Sequence, residues 1–137
     1  MKKASAAALL FGVLGLMVPV IAPAQGAKSL KDELVGTWEV VALDLPKGIK
    51  HIKHITPTHF TWIFYDADKK NPQAVGGGTW SVKDNAYTER FDFASESFGH
   101  LRDKELTAIV KVDGDQWSIQ TPPGSNIVVK QVWKRLK

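Results

Sequence analysis

The sequence contains no cysteine. Whatever core it builds must hold by packing alone, even in an oxidising compartment, and lipid attachment at a cysteine behind a leader is excluded. Charge of one sign is also scarce: 18 basic residues face 14 acidic ones, and the basic ones are scattered rather than striped with aromatics. That distribution gives no footprint for nucleic acid. Helical periodicity is missing beyond residue 25, apart from room for a single turn over residues 27–33. Gly76, Gly77 and Gly78 are followed by neither Lys-Ser/Thr nor a helix, so they do not make a phosphate loop. Ser95, Glu96, Ser97 and His100 lack a nucleophile elbow around them.

One long apolar run is present, and it lies at the very start. Lys2 and Lys3 precede apolar residues 4–18, and Ala22-Pro23-Ala24 ends the segment with a small-x-small pattern. This is the layout of a cleavable signal peptide over residues 1–24, with export to the periplasm or beyond. The competing reading is an uncleaved anchor, because the run approaches spanning length. Pro19, Pro23 and the Ala22-x-Ala24 signal favour cleavage after Ala24 and no stable membrane insertion afterwards. Loss of Lys2 and Lys3 lowers the net charge from +4 to +2 and leaves a single domain over residues 25–137.

That domain reads as β throughout. Period-2 alternation and turn residues predict strands over residues 35–43, 49–56, 59–66, 76–82, 86–93, 105–112, 116–121 and 127–136. The connections are short and polar: Asp44 to Gly48, a loop over 67–74, Lys83-Asp84-Asn85, a loop over 95–103, Asp113-Gly114-Asp115, and Pro122 to Asn126. Residues 59–66 are apolar on both parities, as in a strand covered on both sides. Eight strands in sequence fit an antiparallel up-and-down barrel, with a two-sheet sandwich as the rival. The barrel is favoured because it leaves no open edge. Gly36 allows a close approach, Trp38 supplies a ring to plug one end, and Arg135 can stack on that ring when the last strand returns.

Gly36-Thr37-Trp38, the hairpin meander and the closing Val132-Trp133-Lys134-Arg135 resemble the calycin group, the lipocalins and fatty-acid-binding proteins. His54-Ile55-Thr56-Pro57-Thr58-His59-Phe60-Thr61-Trp62, followed by Gly-Gly-Thr-Trp and Tyr-Thr-Glu, is similar more narrowly to small exported bacterial lipocalin-like domain proteins. The resemblance spans the domain and implies a barrel with one internal cavity. Fatty-acid-binding proteins hold a lipid carboxylate with an Arg two residues before a Tyr on the last strand; Gln131 and Trp133 stand at those positions here. The helical lid of those proteins and the long first connection of lipocalins are also missing, which implies a more open mouth and a smaller cavity.

Candidate site residues follow from parity. Trp38 is expected to close the base, and Phe60, Trp62, Phe64, Tyr87, Phe91 and Trp133 to line the cavity, with Glu89, Gln131 and Arg135 orienting a ligand. Tyr87, Glu89, Phe91 and Phe93 alternate onto one face, so Glu89 falls among aromatic rings. A carboxylate there either pairs with a cation, Arg135 or Arg90, or keeps its proton. His51 and His54 are three apart, hence on opposite faces of a strand; His54 and His59 flank the Pro57 corner and can approach each other, but no third ligand for a metal is evident. Asp66-Ala67-Asp68 with Asn71 begins like a calcium loop but lacks the glycine and the final Glu. The expectation is a binding protein for a small apolar or aromatic molecule, with no cofactor and no catalysis. Two alternatives stand beside it: an isomerase- or cyclase-type enzyme using Glu89 as acid and base, and a filled barrel whose outer face, at Ile63 or Ile109, meets a partner protein.

Overall fold

A computed structural model describes residues 26–41 and 43–137; the expected leader lies outside them. Helix α1 (Leu30–Leu34) leads into eight strands: β1 (Gly36–Val40), β2 (Ile49–Ile55), β3 (His59–Asp66), β4 (Asn71–Lys83), β5 (Ala86–Ala94), β6 (Glu105–Asp113), β7 (Gln116–Gln120) and β8 (Lys130–Arg135). Each strand pairs antiparallel with the next, and β8 returns to β1 with Trp38 opposite Arg135, closing the barrel. The expected all-β barrel is therefore present.

The clasp at that closure is built from the residues the sequence marked. Gly36 has φ +150°, and a Cβ there would collide with the Arg135 guanidinium. The space lets Arg135 lie 4.1 Å from the centroid of the Trp38 ring and donate to the carbonyls of Val35 and Glu33 at 2.9 and 2.6 Å. The Trp38 indole N–H donates to Leu34 O at 2.9 Å. Ser29 caps α1 by accepting from the Asp32 amide, and Leu34 is fully buried. The helix thus lies across one end of the barrel, with Lys31 Nζ 5.8 Å above the Trp80 ring.

Four expectations need correction. The predicted loop over 67–74 is a tight turn, and β4 already starts at Asn71. Asp66 makes the turn possible: its Oδ1 accepts from the amides of Asp68 and Lys69 at 3.1 and 3.0 Å. Those backbone bonds, Lys69 first, also lower its pKa. Pro72, unable to donate to the ladder, is tolerated next to a register shift between Phe64 and Tyr65. A second shift, between Gly77 and Gly78, places both Phe91 and Phe93 opposite that pair and leaves Asp92 as the extra residue. Phe93 consequently points outward and is 46% exposed, while Ala94 turns in.

The loop expected over 95–103 winds into a 3-10 helix (Glu96–Leu101) that packs over the barrel mouth. Finally, β3 is not covered on both sides. Phe60, Trp62 and Phe64 point inward, whereas Ile63 faces outward and is only half-buried, in register with Ile52 and Val75.

Candidate functional site

Aromatic packing fills the end of the barrel nearest α1. Trp38 meets Trp117 edge-on at 6.0 Å, Trp117 stacks on Trp133 at 5.9 Å, and Tyr87 lies 5.8 Å from Trp117 and 5.6 Å from Trp80. Trp38, Tyr87 and Trp133 are completely buried, and Trp117 nearly so. The opposite end is hollow, with a cavity of about 210 Å³.

Each wall of that cavity follows from strand parity and the bulges. From β3 come Trp62 and Phe64, from β5 Glu89 and Phe91, from β8 Gln131. Leu106 and Ile119 of β6 and β7, with Ile127 and Val129 ahead of β8, complete the apolar side. Gly76 has no side chain because the Trp62 indole occupies the place of its Cβ. The 3-10 helix adds Phe98, His100 and Leu101. Phe98 stacks on Phe64 with centroids 5.8 Å apart and meets Trp62 edge-on at 5.0 Å. The mouth is thus partly covered by the 95–103 connection.

Strand β2 contributes what sequence reasoning overlooked. Ile55 points inward, so His51 and Lys53 do as well, and both are about 95% buried. Lys53 Nζ donates to Glu89 Oε1 at 2.5 Å, and the Tyr87 hydroxyl donates to the same oxygen at 2.6 Å. On its other side the ammonium lies 5.1 Å from Trp133, 5.7 Å from Trp117 and 5.5 Å from Phe60. The ion pair therefore forms a layer between the cavity and the filled end. Burial, then the charge of Glu89, pushes the Tyr87 hydroxyl well above its ordinary pKa, so it serves as a fixed donor.

His51 stacks on Phe64 at 3.8 Å and meets Trp133 at 4.7 Å. Burial, helped by Lys53, lowers its pKa to about 3, and neither ring nitrogen has a hydrogen-bond partner among the described residues. His54 lies on the opposite, exposed face, 3.0 Å from Thr37 Oγ1. Among the described residues, no three His, Asp or Glu side chains gather as a set of metal ligands.

Of the ten residues proposed from sequence, Trp62, Phe64, Glu89, Phe91 and Gln131 meet at the cavity. The other five lie elsewhere. Trp38, Tyr87 and Trp133 belong to the filled end, while Phe60 sits beneath the wall, edge-on to Phe91 at 5.4 Å. Arg135 clasps the far end of the barrel. Neither expected arginine pairs with Glu89: Arg135 is held by Trp38 and two carbonyls, and Arg90 faces outward, 4.0 Å from Asp92. One signal pointed toward Lys53: the need of a buried carboxylate for a cation.

No protein-family model matches the chain, and no curated protein is detectably similar to it. The geometry of the cavity carries the reading that follows.

Proposed function

We propose that this is an exported, lipocalin-like binding protein that holds one small apolar or aromatic molecule in the barrel cavity and does not transform it. The observation that carries the reading is the cavity of about 210 Å³, walled by aromatic and aliphatic side chains around one buried ion pair. An apolar cavity with a few convergent polar groups is the general form of a small-molecule site. A void of about 150 Å³ accommodates benzene, so this one suits a single substituted ring or a short chain.

Stability alone gives little reason for the polar layer. Replacing a buried ion pair by apolar residues is often neutral or favourable by about 1–4 kcal/mol. Recognition supplies a reason. A cavity of this size also speaks against a barrel filled by its own side chains, the reading in which exposed Ile109 would carry partner contacts. Acid–base catalysis through Glu89 is disfavoured because Tyr87, which donates to its Oε1, does not reach the cavity, and burial lowers the pKa of His51 to about 3, which makes it a weak base near neutral pH.

Native mass spectrometry of the protein purified from its host's periplasm tests the proposal. A mass excess that disappears on denaturation is expected. Absence of any adduct, together with unchanged tryptophan fluorescence across small aromatic and aliphatic compounds, would refute it. Turnover with a bell-shaped pH profile, lost in Glu89→Gln, would replace it with the enzyme reading.

A further inference from the structure

We infer that the cavity selects an uncharged ligand carrying a hydrogen-bond donor, of the phenol or small-alcohol class, over acids and amines of the same shape. This deepens the binding reading above and rests on it.

Charge balance gives the first half of the argument. The ionised side chains in the buried part of the wall are Lys53 and Glu89, 2.5 Å apart, with side chains only 5% and 4% exposed. They cancel each other. His51 is neutral at physiological pH, and His100 is exposed at the mouth. An entering carboxylate would lose its water and meet Glu89 with no unmatched cation to receive it. An entering ammonium would meet Lys53 in the same way. Either charge would be buried without a partner, which is among the most unfavourable events in a protein interior.

Hydrogen-bonding capacity gives the second half. Glu89 Oε1 already accepts two bonds, whereas Oε2 accepts none from the described residues. A carboxylate oxygen can only accept, so the ligand must supply the donor. The Gln131 side-chain amide, also on the wall, makes no hydrogen bond to the described residues and offers both a donor and an acceptor. A hydroxyl group matches both chemistries, as a donor toward Glu89 and an acceptor toward Gln131. A hydrocarbon of the same outline would leave the carboxylate oxygen dry and unpaired.

The test uses four probes on one ring: 4-methylphenol, toluene, 4-methylbenzoate and 4-methylbenzylammonium, titrated into the purified protein with calorimetry and tryptophan fluorescence as readouts. 4-Methylphenol is expected to bind at least about 10-fold more tightly than each of the others, the factor a hydrogen bond to a charged group confers. In Glu89→Gln, Lys53 loses its counter-charge and preference is expected to move to 4-methylbenzoate. The Lys53→Met/Glu89→Leu double variant buries no charge, which guards against loss of folding, and leaves no acceptor at position 89; it should bind 4-methylphenol and toluene within about threefold of each other.

Toluene or either ion binding the wild type as tightly as 4-methylphenol would overturn the inference while leaving a binding protein. A double variant that keeps the phenol preference would also overturn it. If none of the four binds, and the protein from its host carries no adduct, the binding reading falls and the inference falls with it.

Discussion

The two ends of this barrel are made from the same kinds of residue and behave oppositely. Near α1, Trp38, Trp80, Tyr87, Trp117 and Trp133 are all buried and pack ring against ring. At the mouth, Trp62, Phe64, Phe91 and Phe98 stand around an empty volume. Aromatic content therefore does not decide whether a small barrel is solid or hollow. What differs is the layer between them, where Lys53 and Glu89 occupy two inward positions that apolar side chains would otherwise fill. An ion pair of this kind needs packing on one side and tolerates a cavity on the other.

The contrast can be broken most severely at the solid end. Trp38→Ala removes the plug, its bond to Leu34 and the surface on which Arg135 lies. The expected loss is about 5 kcal/mol in urea-induced unfolding, the upper end for a buried aromatic. Lys53→Met strands the Glu89 carboxylate in the interior and should cost about 3–4 kcal/mol, with most of it recovered in Lys53→Met/Glu89→Gln.

His51 sharpens the comparison through pH. Its folded pKa of about 3 is below the ordinary 6.5, so between those values the unfolded chain takes up a proton and the folded barrel does not. Stability should fall as pH drops through that window, by about 1.4 kcal/mol per unit, or about 3 kcal/mol between pH 6.5 and 4. In His51→Phe, which keeps a ring against Phe64, that component of the acid limb should disappear from unfolding curves measured at each pH.

The smallest effect belongs to the mouth. Phe98→Ala trims a half-buried ring and should lower stability by only about 1 kcal/mol. It should nevertheless change the affinity for any ligand that tryptophan fluorescence detects. A Phe98→Ala loss as large as that of Trp38→Ala would show that the two ends are not energetically distinct.

Much of the scaffold was legible because short-range chemistry wrote it. Turn residues and period-2 alternation give the hairpins, and Gly36, Trp38 and Arg135 give the clasp. The misplacements share a cause: parity is a local rule that one inserted residue reverses. Asp92 is the extra residue in β5, so Phe93 leaves the face that Tyr87, Glu89 and Phe91 share. β2 hid its role differently. Ile-Lys-His-Ile-Lys-His-Ile repeats every three residues, which marks neither face of a strand, and an isolated lysine ordinarily points to water. Only pairing with β1 and β3 turns Lys53 inward, and pairing is a long-range fact. The 3-10 helix over Glu96–Leu101 is too short to show a periodicity at all.

The clasp at Gly36 also dictates when the molecule can become itself. Arg135 reaches carbonyls 100 and 102 positions earlier in the chain, and β1 gains its second neighbour only when β8 arrives. During synthesis the sheet can grow hairpin by hairpin, yet until β8 exists it has two open edges, the state most exposed to mispairing with another chain. Contacts of such long sequence separation are the kind whose loop-closure cost slows folding. A chain stalled just short of Lys130 would have seven strands, nearly all of its core residues and no barrel.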